Sequence, residues 1–310
     1  VDRYLVTGGA GFIGSHLVEA LLAQGGQVRI LDDLSTGNLN NLRAVADRVE
    51  LRRGSVTDAD AVQAAVADCQ VVFHLAALPS VTLSVEEPLR IHEACATGTL
   101  RILDAARRHG VRRVVYAASS SAYGDQPGAE RSEGDALLPL SPYAAAKLAG
   151  EHYCSACTAA YGLETVRLRF FNVFGPRQDA QSPYSGVIAL FIAALAAGRQ
   201  PTIFGDGLQA RDFVYVANAV EALLKAAKAT AAVGQVYNIG NGQSTTVLEL
   251  VQQLNELTGQ KIQPIHAAPR PGDVRFSQAD IRRAARDLGY APAVTFRQGL
   301  VRTLEAHRGR

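Results

Sequence analysis

Short apolar runs recur along this chain, each closed by a glycine or a polar turn and followed by residues at helical spacing. RYLVTG at 3–8 opens the series, and SHLVEALLAQG follows it with apolar positions three and four apart. QVRILD at 27–32 is the next strand. VELRRG, CQVVFHLA and RRVVYAAS read as further strands, with DADAVQAAVA and TGTLRILDAARRHG as helices between them. LETVRLRFFNVFG continues the pattern. Strand and helix in such alternation predict an α/β fold, a doubly wound parallel sheet with helices on both faces. The regularity weakens near residue 175, where GPRQDAQSPYSG, FGDGLQARD and APRPGD bring in loops rich in Gly, Pro and Gln. Residues 1–175 are therefore expected to form the sheet domain. Residues 176–310 are expected to be mainly a smaller α/β cap on its carboxyl edge, with some segments returning to the sheet. That edge is where doubly wound sheets bind ligands.

Composition excludes several classes of function. The chain has 310 residues, 31 Lys+Arg against 29 Asp+Glu, and a formal charge of +2. That balance offers no footprint for nucleic acid or for a membrane surface. No apolar run approaches the ~20 residues of a membrane span, and the glycine-broken start lacks the basic leader of a signal peptide. Cys69 and Cys95 are isolated, whereas Cys154 and Cys157 form a C-x-x-C. No second C-x-x-C or histidine pair completes a metal site, and the pair lies inside a helical pattern. Buried helix thiols, no metal and a reducing cytoplasmic setting are expected.

Two motifs carry chemistry. TGGAGFIG sets Gly8, Gly11 and Gly14 between a strand and a helix. The first glycine permits a tight turn, the second lets backbone approach a pyrophosphate, and the third lets helix and strand pack closely. The helix start then offers amide hydrogens and a positive dipole end to phosphates. Asp32 closes the next strand, where a carboxylate accepts hydrogen bonds from an adenosine ribose and repels a 2′-phosphate. NAD is expected rather than NADP. SPYAAAK at 141–147 begins with the Ser-Pro of a helix entry and puts Tyr143 and Lys147 on one helix face, with only alanines between. A cation beside a phenol favours phenolate. Lowering a phenol from ~10 to ~7 requires about 4 kcal/mol, of which Lys147 supplies part and an oxidised nicotinamide ring more. The product is a base poised at neutral pH.

AASSSAYG at 117–124 ends another strand with hydroxyls. Together with LDDLSTG, HLAALPSV, GTLRILDAA, RFFNVFGPRQ, FGDGLQARDFVYV, YNIGNG and RPGDVRFSQAD, these motifs resemble the extended short-chain dehydrogenase/reductase family over nearly the whole chain. Within it the chain looks most like the nucleotide-sugar 4-epimerases, those of UDP-N-acetylglucosamine in particular. The resemblance implies a Rossmann-type NAD-binding domain with a substrate-binding cap. It implies Tyr143 as base, Lys147 as its electrostatic partner and Ser119 as the bridging hydroxyl, with Ser120 among the substrate contacts. Along the sheet edge it implies cofactor contacts at Gly8, Gly11, Phe12, Ile13 and Gly14, at Asp32, Asp33, Ser35, Thr36 and Gly37, and at Ser55 and Val56. Leu75, Ala76, Ala77, Ala117, Tyr143, Lys147 and Phe170 complete them. For the sugar nucleotide it implies Asn172, Val187, Thr202 and Phe204, with Arg211 and Arg270 on the diphosphate, Asp273 on a ribose hydroxyl and Ser277 as a small gate beside the sugar's C2 substituent.

The chain departs from the family pattern at Ser55, where a carboxylate facing adenine is usual, at Cys95, usually Asn, and at Ala217-Asn218, usually Asp-Asp. The implied activity is C4 epimerisation of a UDP-sugar through a 4-keto intermediate, with retained NAD, in a homodimer paired through the helices near 97–109 and 145–161. UDP-GlcNAc/UDP-GalNAc is the expected pair, with UDP-Glc/UDP-Gal beside it. A UDP-glucuronate 4-epimerase shares nearly the same motifs. A nucleotide-sugar reductase and a non-catalytic NAD sensor are the other readings. Ser120 and Ser121 follow Ser119 where 4,6-dehydratases carry acidic residues, which argues against elimination.

Overall fold

The computed structural model describes residues 2–179, 186–269 and 274–308. The chain runs β1 (Arg3–Thr7), α1 (Phe12–Ala23), β2 (Gln27–Asp32), β3 (Val49–Arg53), α2 (Ala59–Val66), β4 (Val71–His74), α3 (Val81–Glu86) and α4 (Pro88–His92). A single π turn, Glu93–Thr97, joins α4 to α5 (Gly98–Arg108), followed by β5 (Arg113–Ser119), β6 (Glu130–Arg131), α6 (Pro142–Tyr161), β7 (Glu164–Phe170) and β8 (Asn172–Phe174). Then come α7 (Val187–Ala196), β9 (Thr202–Phe204), β10 (Ala210–Tyr215), α8 (Val216–Lys228), β11 (Val236–Ile239), β12 (Ser244–Thr246), α9 (Val247–Thr258), β13 (Ile265–Ala267), β14 (Phe276–Ala279), α10 (Arg282–Leu288) and α11 (Phe296–Arg308).

Seven strands form one parallel sheet in the order β11-β7-β5-β4-β1-β2-β3. The chain winds outward from β1 to β3 and then returns to β4 on the other side of β1. The crevice between the ends of β1 and β4 is thus the topological switch point, where such sheets bind ligands. The central strands are largely apolar because they are covered on both faces, whereas the edge strand β3 is mostly exposed, and the two-residue period deals side chains to two cores. Val6, Phe73, Val115 and Val166 join α1 and α8 in one core. Leu5, Val72, Val114 and Tyr116 join α2, α5 and α6 in the other.

The winding does not end near 175. After an excursion through β8, α7 and β9, it resumes with α8, which packs on α1, and with β11, which pairs with β7. A second, smaller sheet lies over the carboxyl edge. Its β10 runs parallel to β8 and β14 and antiparallel to β12, and β9 pairs separately with β13. The helix entry read in SPYAAAK is present: Ser141 caps α6 by accepting from the Ala144 amide at 3.2 Å, Pro142 takes the first turn, and Gly162 closes the helix in the left-handed conformation.

Candidate active site

Apart from Tyr143 and Lys147 on α6, the cofactor candidates lie at or near the carboxyl ends of strands of the large sheet. Gly8 to Gly14 bridge β1 and α1, Asp32 to Gly37 follow β2, Ser55 and Val56 follow β3, and Leu75 to Ala77 follow β4. Ala117 lies on β5, and Phe170 ends β7.

The glycine loop has the form a dinucleotide needs. Gly8 has φ +70°, and a Cβ there would stand 2.9 Å from the Ala76 amide nitrogen. A Cβ on Gly14 would stand 2.1 Å from the Gly8 carbonyl oxygen. At Gly11, which caps α1, no side chain engages the helix amides, and the first turn carries no acid. The free amides and the positive end of the helix dipole therefore face the switch-point crevice, a fit for a diphosphate.

Asp32 is nearly buried, and its two oxygens accept from the Ala10 amide at 2.8 Å and the Leu34 amide at 2.9 Å. It ties the glycine loop to the end of β2, and each oxygen keeps a lone pair for a ribose hydroxyl. Burial pushes its carboxyl upward, against the pull of the two amides. Ser55, in place of the usual carboxylate, bonds the Thr57 hydroxyl at 2.9 Å and accepts the Thr57 amide at 3.2 Å.

Ser119 ends β5, and the α6 entry stands opposite it. Ser119 Oγ lies 2.8 Å from Ser121 Oγ and accepts the Ser121 amide at 3.2 Å, so the hydroxyl is fixed by the turn it caps. The Tyr143 phenol faces the Ser119 side chain, whose hydroxyl favours the ionised phenol. Lys147 is buried one turn further along α6. Tyr143 and Lys147 share one face of α6, and Ser119 stands at the end of the facing strand β5. Their electrostatics differ from the sequence expectation. Burial drives the Tyr143 phenol well up, the neighbouring Cys95 thiol adds to this, and the Ser119 hydroxyl opposes it. Burial likewise pulls the Lys147 ammonium down, against Cys95, Cys154 and Glu151. Desolvation is the dominant influence on the phenol and disfavours its charged form.

Beneath the pair lies a polar network that the apolar strand patterns concealed. Thr7 Oγ1 accepts the Leu75 and Ala76 amides at 3.2 and 3.1 Å, so its proton goes to His74 Nδ1 at 2.8 Å. His74 Nε2 then donates to Thr99 Oγ1 at 3.0 Å, and Thr99 donates to the Cys95 carbonyl. These bonds make His74 a neutral Nε2–H imidazole. Complete burial and the nearby Lys147 push its pKa down to about 3. Glu151, one turn beyond Lys147, is held on both oxygens by Arg169, which also donates to Tyr123. The lone signal for these residues was a polar side chain set in an apolar run, as in CQVVFHLA.

On the cap side, Arg211 and Ser277 are register partners across β10 and β14. Thr202 and Phe204 lie on β9, Val187 begins α7 and Asn172 begins β8. Asp212, beside Arg211, is fully buried and accepts the Asn241, Gly242 and Ala279 amides, which fixes the YNIGNG loop against β14. Arg270 and Asp273 lie outside the described residues. Cys154 and Cys157 are free, buried thiols inside α6, and no metal-binding cluster occurs among the described residues.

A doubly wound sheet with a glycine cradle at its switch point and a hydroxyl–phenol–lysine group beside it defines a nucleotide-dependent enzyme acting on an alcohol or ketone. The chain belongs to the NAD dependent epimerase/dehydratase family, whose model matches residues 4–240. It is 42% identical to a UDP-glucose 4-epimerase of Mycolicibacterium smegmatis over 99% of both chains. Its fold superposes with a TM-score of 0.95 on a UDP-N-acetylglucosamine 4-epimerase from Methanobrevibacter ruminantium in complex with UDP-N-acetylmuramic acid, at 37% identity over 99% of this chain and 98% of that one. It superposes equally, at 0.95, on a UDP-glucose 4-epimerase of Thermotoga maritima with UDP-glucose, at 38% identity over 99% of each chain.

Proposed function

We propose that this protein interconverts UDP-sugars epimeric at C4, with UDP-GlcNAc/UDP-GalNAc as the principal pair and UDP-Glc/UDP-Gal also accepted. The observation that carries this reading is the Tyr143 phenol facing the Ser119 hydroxyl, with Lys147 one turn further along α6 and serines at 120 and 121. Tyr143 takes the proton of the sugar's 4-hydroxyl through Ser119, and Lys147 favours the phenolate electrostatically. Bound NAD, held tightly because the cycle is redox-neutral, supplies an acceptor that takes the C4 hydride and gives it back. Arg211 and Arg270 grip the diphosphate while the 4-keto sugar turns over, guanidinium being suited to bidentate phosphate binding. Tyr143 then returns the proton at the opposite configuration. Elimination would need an acid where Ser120 and Ser121 stand.

Ser277, in register with Arg211, is a small residue at the position the resemblance gives to the gate, which supports acceptance of an N-acetyl group. Asp32 selects NAD over NADP by repelling a 2′-phosphate. We assign NAD to the lobe of residues 1–175, with β11 completing its sheet, and the sugar nucleotide mainly to residues 176–310. Leu100 on α5 and Tyr153 and Tyr161 on α6 are exposed apolar side chains, which supports a homodimer through a four-helix bundle. Four free thiols suit the reducing cytoplasm. The test is incubation with a panel of UDP-sugars and analysis of product stereochemistry. Conversion of UDP-GlcNAc to UDP-GalNAc without net NADH consumption is the expected result, and net reduction, elimination or no reaction overturns it.

A further inference from the structure

The chemistry above leaves one buried aromatic without a role. Tyr116, on β5, is completely buried and meets Lys147 twice. Its hydroxyl donates to the Lys147 carbonyl at 3.1 Å, and its ring centre lies 4.5 Å from Lys147 Nζ. Helix α6 is shaped to this ring. At Gly150 a Cβ would stand 2.3 Å from the Tyr116 hydroxyl oxygen, so any side chain there would push the phenol away.

The ammonium needs such support. Burial favours its neutral form, and the acid one turn along, Glu151, is occupied by Arg169 on both oxygens, at 2.9 and 2.8 Å. The groups facing the pair from the packed elements are the Cys95 thiol of the π turn, neutral His74 of β4, Tyr116 and Ser119 of β5, and Cys154 and Glu151 of α6 itself. Among them the Tyr116 ring presents a negative π face to the cation. His74 stacks on the same ring with centroids 5.7 Å apart, and its Thr7 and Thr99 bonds hold that support in place.

We propose that Tyr116 is a positioning residue for the catalytic pair: its π face, presented by a ring buried against α6, seats the Lys147 ammonium beside Tyr143. The inference rests on the reading of Tyr143 as base and Lys147 as its electrostatic partner.

The test is an ultraviolet difference titration of the Tyr143 phenolate in the NAD-loaded protein, with the Tyr143→Phe protein subtracted. It uses no sugar, so a chain that epimerised none of the UDP-sugars would overturn the functional reading and leave this measurement standing. Tyr116→Phe keeps the ring and should titrate like the parent. Tyr116→Leu removes the π face and should move the titration upward by about one pH unit. Its turnover at neutral pH should fall roughly tenfold and recover as pH rises, with KM for the sugar nucleotide unchanged. Should Tyr116→Leu lose its fold or its NAD, Tyr116→pentafluorophenylalanine keeps the ring shape and removes the negative face, and should show the same upward shift relative to Tyr116→Phe. Equal titrations in aromatic, fluorinated and aliphatic proteins overturn the proposal. So does a Tyr116→Phe shift as large as that of Tyr116→Leu.

Discussion

Protonation of the unfolded chain at His74 should make this fold acid-sensitive, and substitution at that position should remove its share of the sensitivity. The imidazole is fully buried between Thr7 and Thr99, with its pKa pushed from 6.5 to about 3 by burial and by Lys147. The folded-state value is depressed, so in acid the unfolded chain takes up a proton that the folded chain refuses. The stability is complete above pH 6.5 and is lost as pH falls toward 3. At pH 4.5, two units below the unfolded value, the loss is about 2.7 kcal/mol, at roughly 1.4 kcal/mol per unit. His74→Gln keeps a polar side chain at the site and does not titrate. Its absolute stability is expected to drop, because Thr7 and Thr99 lose well-placed partners. The informative quantity is the change between two pH values, in which that loss cancels. Urea unfolding at pH 7.0 and 4.5 should show the parent losing about 2.5 kcal/mol more than the variant. Equal losses would mean that His74 is charged in the fold, and the Nε2–H assignment would fall with it.

Three further outcomes follow from the same site. Tyr143→Phe should retain NAD and sugar-nucleotide binding and lose roughly 10²–10⁴-fold in turnover, the usual worth of a positioned base; near-parental turnover would remove Tyr143 from its role. Gly14→Ala should purify without NAD, judged by the 260/280 nm absorbance ratio, because the new Cβ meets the Gly8 carbonyl at 2.1 Å and that backbone has nowhere to move; full NAD occupancy would refute the cradle geometry. Ser277→Tyr should depress turnover of the N-acetylated pair selectively, by the ~1–3 kcal/mol that overfilling costs; equal slowing of plain and acetylated sugars would count against the gate.

The sequence by itself determined the winding and the reacting groups. RYLVTG, QVRILD and CQVVFHLA are strands because short apolar runs between glycine and polar turns have no better way to bury both faces. The i, i+4 spacing of Tyr143 and Lys147 is a local property of a helix whose start, Ser141-Pro142, is also written locally. That some later segment returns to the sheet was expected, but that it would be α8 and β11 was not legible. Val236–Ile239 is a four-residue strand whose parallel partner β7 lies far upstream, and pairing at that distance leaves no local pattern. The same reason hid the support beneath the site. Tyr116 and His74 read as ordinary members of apolar strands, yet the sheet stacks them, α6 lays Lys147 over the ring, and Thr7 and Thr99 arrive from other elements to fix the tautomer. Tertiary structure also set the dielectric surroundings of the pair. Spacing alone placed a cation beside a phenol. Burial of both groups, a property of the whole fold, pushes the phenol up and the ammonium down.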